Sequence, residues 1–215
     1  MTPIRVVIVD ANDLIRHGIV QMIQRGDGRI TIMGAYATLP RMRDALRLDP
    51  VDILLLDDTL PTVRQVGDLI LELKDQHPHV SIVITSDRLS GLYVQRLLES
   101  GATGFIYKFD RLQGLLVPAL EMIRNGSLYV SPKAAALTYM MRRQTNLRLT
   151  ETDRDVLWLI SEGHNIQEIA AIAELTTRSV YRIREKLRKI LNVKTNEQIV
   201  DAARKRGLLD ISNQV

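Results

Sequence analysis

The sequence predicts a doubly wound parallel α/β sheet of five strands followed by an all-α unit, and three observations predict it. Five short runs rich in Val and Ile alternate with five helical stretches over residues 4–125. The strand-like runs are apolar almost without interruption, Ile53-Leu54-Leu55-Leu56 being the plainest case, as expected of strands buried on both faces. From Leu149 onward the spacing is purely helical.

Strands are expected at residues 5–9, 29–35, 52–56, 81–85 and 104–107, where β-branched residues concentrate in runs of strand length. Helices are expected at 13–24, 40–47, 66–76, 92–99 and 112–123, where apolar residues recur every three or four positions. Parallel strands need crossover connections, and five βα repeats in this length place helices on both faces of one sheet. Asn125-Gly126-Ser127 ends the fifth helix with residues that tolerate left-handed backbone. Residues 1–125 thus form the first domain. Residues 126–147 read as a linker, with a short helix over 133–143 opened by Ser131-Pro132 and a polar hinge over 141–148.

Residues 148–215 make the second domain. Thr150 is an N-cap with Asp153 three residues on, close to a capping box, and the helix lined by Val156, Leu157, Leu159 and Ile160 ends at Gly163. A helix over 166–173, a Glu174-Leu175-Thr176 turn and a long helix over 177–191 follow, the last with Val180, Ile183, Leu187 and Ile190 as its buried stripe. Thr195 with Gln198 opens the final helix, and Arg204-Lys205-Arg206-Gly207 closes it.

Composition narrows the function classes. The 215 residues allow one or two domains, and 46% hydrophobic content suffices for a core. Zero cysteines exclude disulfides, thiolate metal sites and a Cys nucleophile, in keeping with a reducing compartment. No apolar run approaches a membrane span, and Met1-Thr2-Pro3-Ile4-Arg5 lacks the features of a secretory signal, so a cytoplasmic protein is expected. The net charge of +4 is unevenly spread. Residues 1–125 hold 14 Lys/Arg against 15 Asp/Glu, whereas 178–194 hold seven basic residues opposed only by Glu185. That is the electrostatic pattern of a nucleic-acid binder, although a basic helix face is also often just solvated.

Four strand-like runs each end on a polar residue: Asp10, Asp57, Thr85 and Lys108. Ligands in doubly wound sheets sit at the carboxyl ends of strands where strand order reverses, so these four side chains make a candidate site. Each has a plainer explanation taken singly. Asp10 would cap the next helix, Asp57 a turn before Pro61, and Lys108 would be a surface residue; the convergence of all four favours a site.

These residues carry a resemblance. Residues 4–125 resemble a response-regulator receiver domain of the two-component systems: LLLDDTLP is similar to its phosphoacceptor strand, IVITS to the strand ending in its switch hydroxyl, and GATGFIYK to the strand ending in its lysine. The resemblance implies that Asp57 takes a phosphoryl group, Thr85 bonds the phosphoryl oxygens, Lys108 pairs with their charge, and Phe105 is the switch aromatic. It also implies a Mg²⁺ ion held by Asp10, Asp57 and the carbonyl of Thr59, and a sensor histidine kinase as partner. Two departures stand against the pattern. Ala11 replaces the carboxylate expected to ligate Mg²⁺ directly, which weakens a site that needs near-octahedral oxygen donors, with Asp13 and Asp58 as displaced substitutes. Pro61-Thr62-Val63-Arg64-Gln65 lacks the glycine that usually follows the proline.

Residues 148–210 resemble the LuxR-type helix-turn-helix domain of NarL/FixJ-type regulators through Leu149-Thr150, Val156-Leu157, Gly163, Glu168-Ile169-Ala170, Val180, Leu191 and Val193. Thr152, Tyr181 and Ile183 stand where Arg, Lys and His are common. The resemblance implies that residues 177–191 form the recognition helix, binding double-stranded DNA as a homodimer. Tyr181, Arg182 and Glu185 would then approach base edges. Arg182 suits guanine O6 and N7, Glu185 suits cytosine N4 or an ion pair within the helix, and Arg178, Lys186 and Lys189 suit phosphates. His17, His77, His79 and His164 lack the spacing of a zinc site, and no hydrolase or phosphate-loop motif is present, so no enzyme is expected. The expected function is a transcriptional regulator whose receiver gates a helix-turn-helix. Two alternatives stay open: a regulator controlled by a ligand or partner without phosphorylation, and an interaction adaptor that has lost DNA binding.

Overall fold

The computed structural model describes residues 2–26, 28–60, 66–143 and 149–209. The stretch 61–65 and the hinge residues 144–148 singled out in the sequence lie outside the described residues. The chain divides into two compact units, residues 1–88 with 94–134 and residues 89–93 with 135–215.

In the first unit the strands are β1 (Ile4–Val9), β2 (Ile30–Tyr36), β3 (Ile53–Asp57), β4 (Ser81–Ser86), β5 (Gly104–Tyr107) and β6 (Tyr129–Val130). All pair in parallel, in the order β2-β1-β3-β4-β5-β6. The crossovers are the helices α1 (Asp13–Gln24), α2 (Leu39–Leu48), α3 (Val66–Gln76), α4 (Gly91–Glu99) and α5 (Leu116–Arg124). The order reverses between β1 and β3, which opens a crevice at their carboxyl ends.

One sheet face carries Val6, Ile8, Ile53, Leu55, Val83 and Ile106 against Ile19 and Ile23 of α1 and Leu116, Leu120 and Ile123 of α5. The alternate residues Val7, Leu54, Leu56, Ile82 and Ile84 are equally buried on the other face, so every residue of β3 is covered on whichever side it points. A cleanly apolar run therefore reads as a central parallel strand, and the polar residue that ends it marks the sheet's edge.

Three details differ from the sequence expectation. The sheet has a sixth strand, β6, within the stretch read as a linker; two residues are too few to show alternation, and Ser131 completes the pairing by donating its N–H to Phe105 O (2.9 Å) and accepting from Tyr107 N (3.0 Å) at its hydroxyl. Helix α5 begins at Leu116 rather than at residue 112, because Gly114 adopts φ +84°, a left-handed conformation that a helix cannot include. Helix α2 begins one residue early with a proline in its first turn, where the missing N–H costs nothing.

The remaining helices are α6 (Pro132–Arg143), α7 (Glu151–Ser161), α8 (Ile166–Ile172), α9 (Thr177–Leu191) and α10 (Asn196–Lys205). Val156, Leu157, Leu159, Ile169, Val180, Ile183, Leu187, Leu191, Ile199 and Ala203 make one core among α7 to α10. The caps follow the sequence closely. Thr150 and Asp153 form a reciprocal box at α7, Asn165 and Glu168 another at α8, and Gln198 Oε1 accepts from the Thr195 N–H (3.2 Å) at α10. Arg206 donates to the carbonyls of Ile190 (3.1 Å) and Leu191 (3.2 Å), covering the otherwise unpaired C-terminal end of α9.

Asp153 has a second partner, the ammonium of Lys186 on α9, so one buried carboxylate both caps α7 and ties it to α9. Burial raises its pKa, but Lys186 and the N–H and hydroxyl of Thr150 outweigh this and hold it below the usual carboxylate range. A depressed pKa stabilises the fold above the ordinary aspartate value of 3.8, and that stability is lost as pH falls through the folded value. Asp153→Ala is expected to cost about 1–3 kcal/mol in urea unfolding followed by the fluorescence of Trp158, and to flatten the acid limb of stability against pH.

Candidate functional site

Register brings the four strand-end residues together. Val9 pairs with Leu56 and Asp57 with Thr85, while the N–H of Lys108 donates to Ser86 O (2.8 Å), so Asp10, Asp57, Thr85 and Lys108 follow four adjacent strands at one edge. Lys108 Nζ lies 2.9 Å from Asp10 Oδ2 and 2.6 Å from Asp57 Oδ1. The carboxylates are 0% and 2% exposed as residues, which makes the ammonium between them obligatory, since two uncompensated charges cannot be held out of water. Burial lowers the pKa of Lys108, yet its hydrogen bonds to Asp57 and Asp10 outweigh that and raise it.

The other oxygens of the pair are also engaged. Asn12 N–H donates to Asp10 Oδ1 (2.8 Å), and the Thr59 hydroxyl donates to Asp57 Oδ2 (2.5 Å). The cap of α1 is Asn12, whose Oδ1 accepts from Leu14 N (3.0 Å) and Ile15 N (3.2 Å), leaving Asp10 free for the pocket. That cap was legible as an Asn directly before an amphipathic run. The Thr59 bond had no sequence signal, because it depends on the turn after β3.

The substitutes for Ala11 are engaged elsewhere. Asp13 pairs with Arg16 with its side chain 80% exposed, and Asp58 is buried, accepting the Ser86 hydroxyl at 2.5 Å. Asp57 and Asp10 are thus left as the carboxylates beside Lys108, hard oxygen donors of the chemistry a Mg²⁺ ion would need. Phe105 is fully buried in β5, paired with Ile84.

The exposed face of α9 carries Arg178, Tyr181, Arg182, Glu185 and Lys189. Lys186 is half-buried against Asp153, and Glu185 pairs with Arg188 and, at 4.0 Å, with Lys189. Arg188 and Lys194 join Glu185, Lys189, Asn192 and Val193 around a cleft at the helix's end, two basic residues that the sequence reading passed over within its own basic run. The four histidines stay apart: only the His77 and His79 rings meet, edge to face at 6.5 Å, and among the described residues no cluster of metal-binding side chains forms.

Lys108→Met leaves two buried carboxylates without a cation and is expected to cost about 3–5 kcal/mol by urea denaturation. The stability that Lys108 contributes is complete below pH 10.5 and is lost as pH rises through its raised pKa, so the variant should lack that alkaline loss.

A family model described as the response regulator receiver domain matches residues 6–116. Among curated proteins, the response regulator GacA of Pseudomonas viridiflava is 25% identical over 97% of this chain and 99% of its own. The probable transcriptional regulatory protein SgaR of Hyphomicrobium methylovorum is 27% identical over 82% of this chain and 81% of its own. Among solved structures, RcsB from Salmonella enterica serovar Typhimurium, bound to the rprA promoter in the presence of phosphomimetic BeF₃⁻, superposes with a TM-score of 0.67 at 16% identity, covering 94% of this chain and 98% of that one. Among the described residues no helix is long and apolar enough to cross a membrane. With a receiver match over half its length, the chain belongs to the response-regulator family.

Proposed function

We propose that the chain is a cytoplasmic, DNA-binding transcriptional regulator of a two-component system, with no catalytic activity beyond its own phosphorylation. The observation that carries this is the convergence of Asp10, Asp57, Thr85 and Lys108 on one strand edge. A sensor histidine kinase is the matching phosphodonor, and a homodimer on double-stranded DNA the matching output, as in the structure of two RcsB dimers bound to two parallel DNAs.

The chemistry asked of the pocket is modest. An oxygen of the Asp57 carboxylate attacks the phosphorus of a phosphohistidine, the P–O bond forms as the P–N bond breaks, and the imidazole, already protonated on its other ring nitrogen, leaves neutral. Lys108, already 2.6 Å from Asp57, stays to neutralise the incoming oxygens, and the Thr85 hydroxyl in register with Asp57 donates to one of them. The Thr59 hydroxyl must release Oδ2 first if that oxygen is the nucleophile. Mg²⁺ held by Asp57 and the Thr59 carbonyl, with Asp10 through water, would supply further charge neutralisation. Thr85 moving toward the phosphoryl group, with buried Phe105 shifting in response, would be a local charge event biasing a two-state element.

On the output side, Arg182 is assigned to guanine and Arg178 and Lys189 to phosphates, with Tyr181 against a thymine methyl or a phosphate. Glu185 reaches a cytosine N4 only by loosening its pairs with Arg188 and Lys189. Lys186, paired with Asp153, serves DNA by holding α9 in place and meets a phosphate only if that pair opens. A second reading, a receiver working without phosphorylation, is favoured by two observations: Ala11, and protein partners for all four carboxylate oxygens of Asp10 and Asp57.

Intact mass after incubation with acetyl phosphate and Mg²⁺ should show one added phosphoryl group, absent in Asp57→Ala; no addition at saturating donor selects the second reading. Binding to duplex DNA should weaken with salt, with a slope of about −0.9 per phosphate neutralised, and Arg178→Ala should reduce that slope by about one. Anisotropy without salt dependence would remove DNA binding from the function and leave an adaptor.

A further inference from the structure

Seven basic residues lie between positions 178 and 194, and the fold does not leave them equally available. Lys186 is turned to the buried carboxylate of Asp153, and half-buried Arg184 acts electrostatically on Glu197 of α10. Arg188 and Lys189 are both held by one side chain. Glu185 Oε2 accepts from Arg188 three residues on, and Glu185 Oε1 lies 4.0 Å from Lys189 four residues on. A glutamate placed N-terminal to its cations at this spacing is in the favourable orientation on a helix. Arg178, Arg182 and Lys194 are exposed and have no ion pair among the described residues. Glu185 is the only acidic residue in the stretch, and with its side chain 49% exposed it shares the outer face of α9 with Arg178, Arg182 and Lys189.

The length of the helix gives these cations a task. Arg178 and Lys189 are separated by about 16 Å along the axis, more than the major groove's width of about 12 Å. With the N-terminal turns of α9 at base edges, its last turn reaches the phosphates that wall the groove, and there Arg188, Lys189 and Lys194 gather in one cleft with Glu185. We propose that Glu185 is an internal competitor for DNA phosphate: it holds Arg188 and Lys189 in ion pairs within α9, so a duplex of arbitrary sequence meets fewer cations than the helix carries. Phosphate contacts carry no sequence information, so a carboxylate that withholds them lowers non-specific binding without touching a base. The pairs are exposed and individually weak, which lets them yield as salt falls or as DNA closes on the helix. The inference rests on reading α9 as the DNA-facing helix.

The test is fluorescence anisotropy of the full-length protein on a short labelled duplex of mixed sequence, across a series of KCl concentrations. Glu185→Gln should bind on the order of tenfold more tightly than the parent, and its log–log salt slope should steepen by up to about two, one for each cation released. Glu185→Ala should do the same, and both variants, which change an exposed side chain, should keep the parent's helix content by circular dichroism. In an Arg188→Gln/Lys189→Gln background the substitution of Glu185 should leave affinity and slope nearly unchanged, because no cation remains for it to withhold. An equal gain in that background means that Glu185 repels phosphate directly, and it overturns the competitor role. Unchanged or weaker binding by the folded Glu185 variants overturns it as well. Absence of salt-dependent binding by the parent overturns the reading of α9 as the DNA-facing helix, and the proposal with it.

Discussion

Two carboxylates on neighbouring strands, both withdrawn from water, are tolerable only with a cation between them, and Lys108 supplies it by bridging Asp10 and Asp57 from a third strand. The rest of the first unit serves that bridge. The lysine reaches the carboxylates because β5 pairs with β4 in the register that ends Ser86 opposite Tyr107, and β4 pairs with β3 so that Thr85 meets Asp57. The apolar strands behind these residues are buried on both faces, which fixes the register, since a slip of one residue would put polar ends into the core. The strand edge is consequently a rigid platform for a mobile chemical event.

The second unit is organised by an ion pair of a similar kind, on a smaller scale. Asp153 completes the cap of α7 and receives Lys186 from α9, so the helix assigned to DNA is held in place by the same carboxylate that starts its neighbour. Arg206 does the complementary task at the far end of α9 by satisfying two carbonyls. With Val180, Ile183, Leu187 and Leu191 buried, both ends and one face of α9 are fixed, and Arg178, Tyr181, Arg182, Glu185 and Lys189 are left on the outer face. That outer face is the one proposed to meet DNA.

Ala11 departs from the usual receiver pattern beside Asp10, while the lysine and the hydroxyl keep to it. Asp57, Thr85 and Lys108 stand in register, whereas Ala11 brings no oxygen to the rim and the Thr59 hydroxyl occupies Asp57 Oδ2.

The sequence by itself determined the order of the first five strands and of the helices, the polar residue ending four of those strands, the caps at Thr150 and Thr195, and the basic run on the long helix. Each of these rests on local spacing or on the chemistry of adjacent residues, which a linear chain displays directly. Tertiary structure decided the rest. The pairing of Lys108 with residues 51 and 98 positions away, the diversion of Lys186 to Asp153, the engagement of Asp13 and Asp58 away from the metal-facing position, and the two-residue strand β6 all depend on neighbours supplied by distant segments. Which partner a charged side chain takes is settled by where folding leaves it buried, because only there does an unpaired charge cost enough to select one geometry.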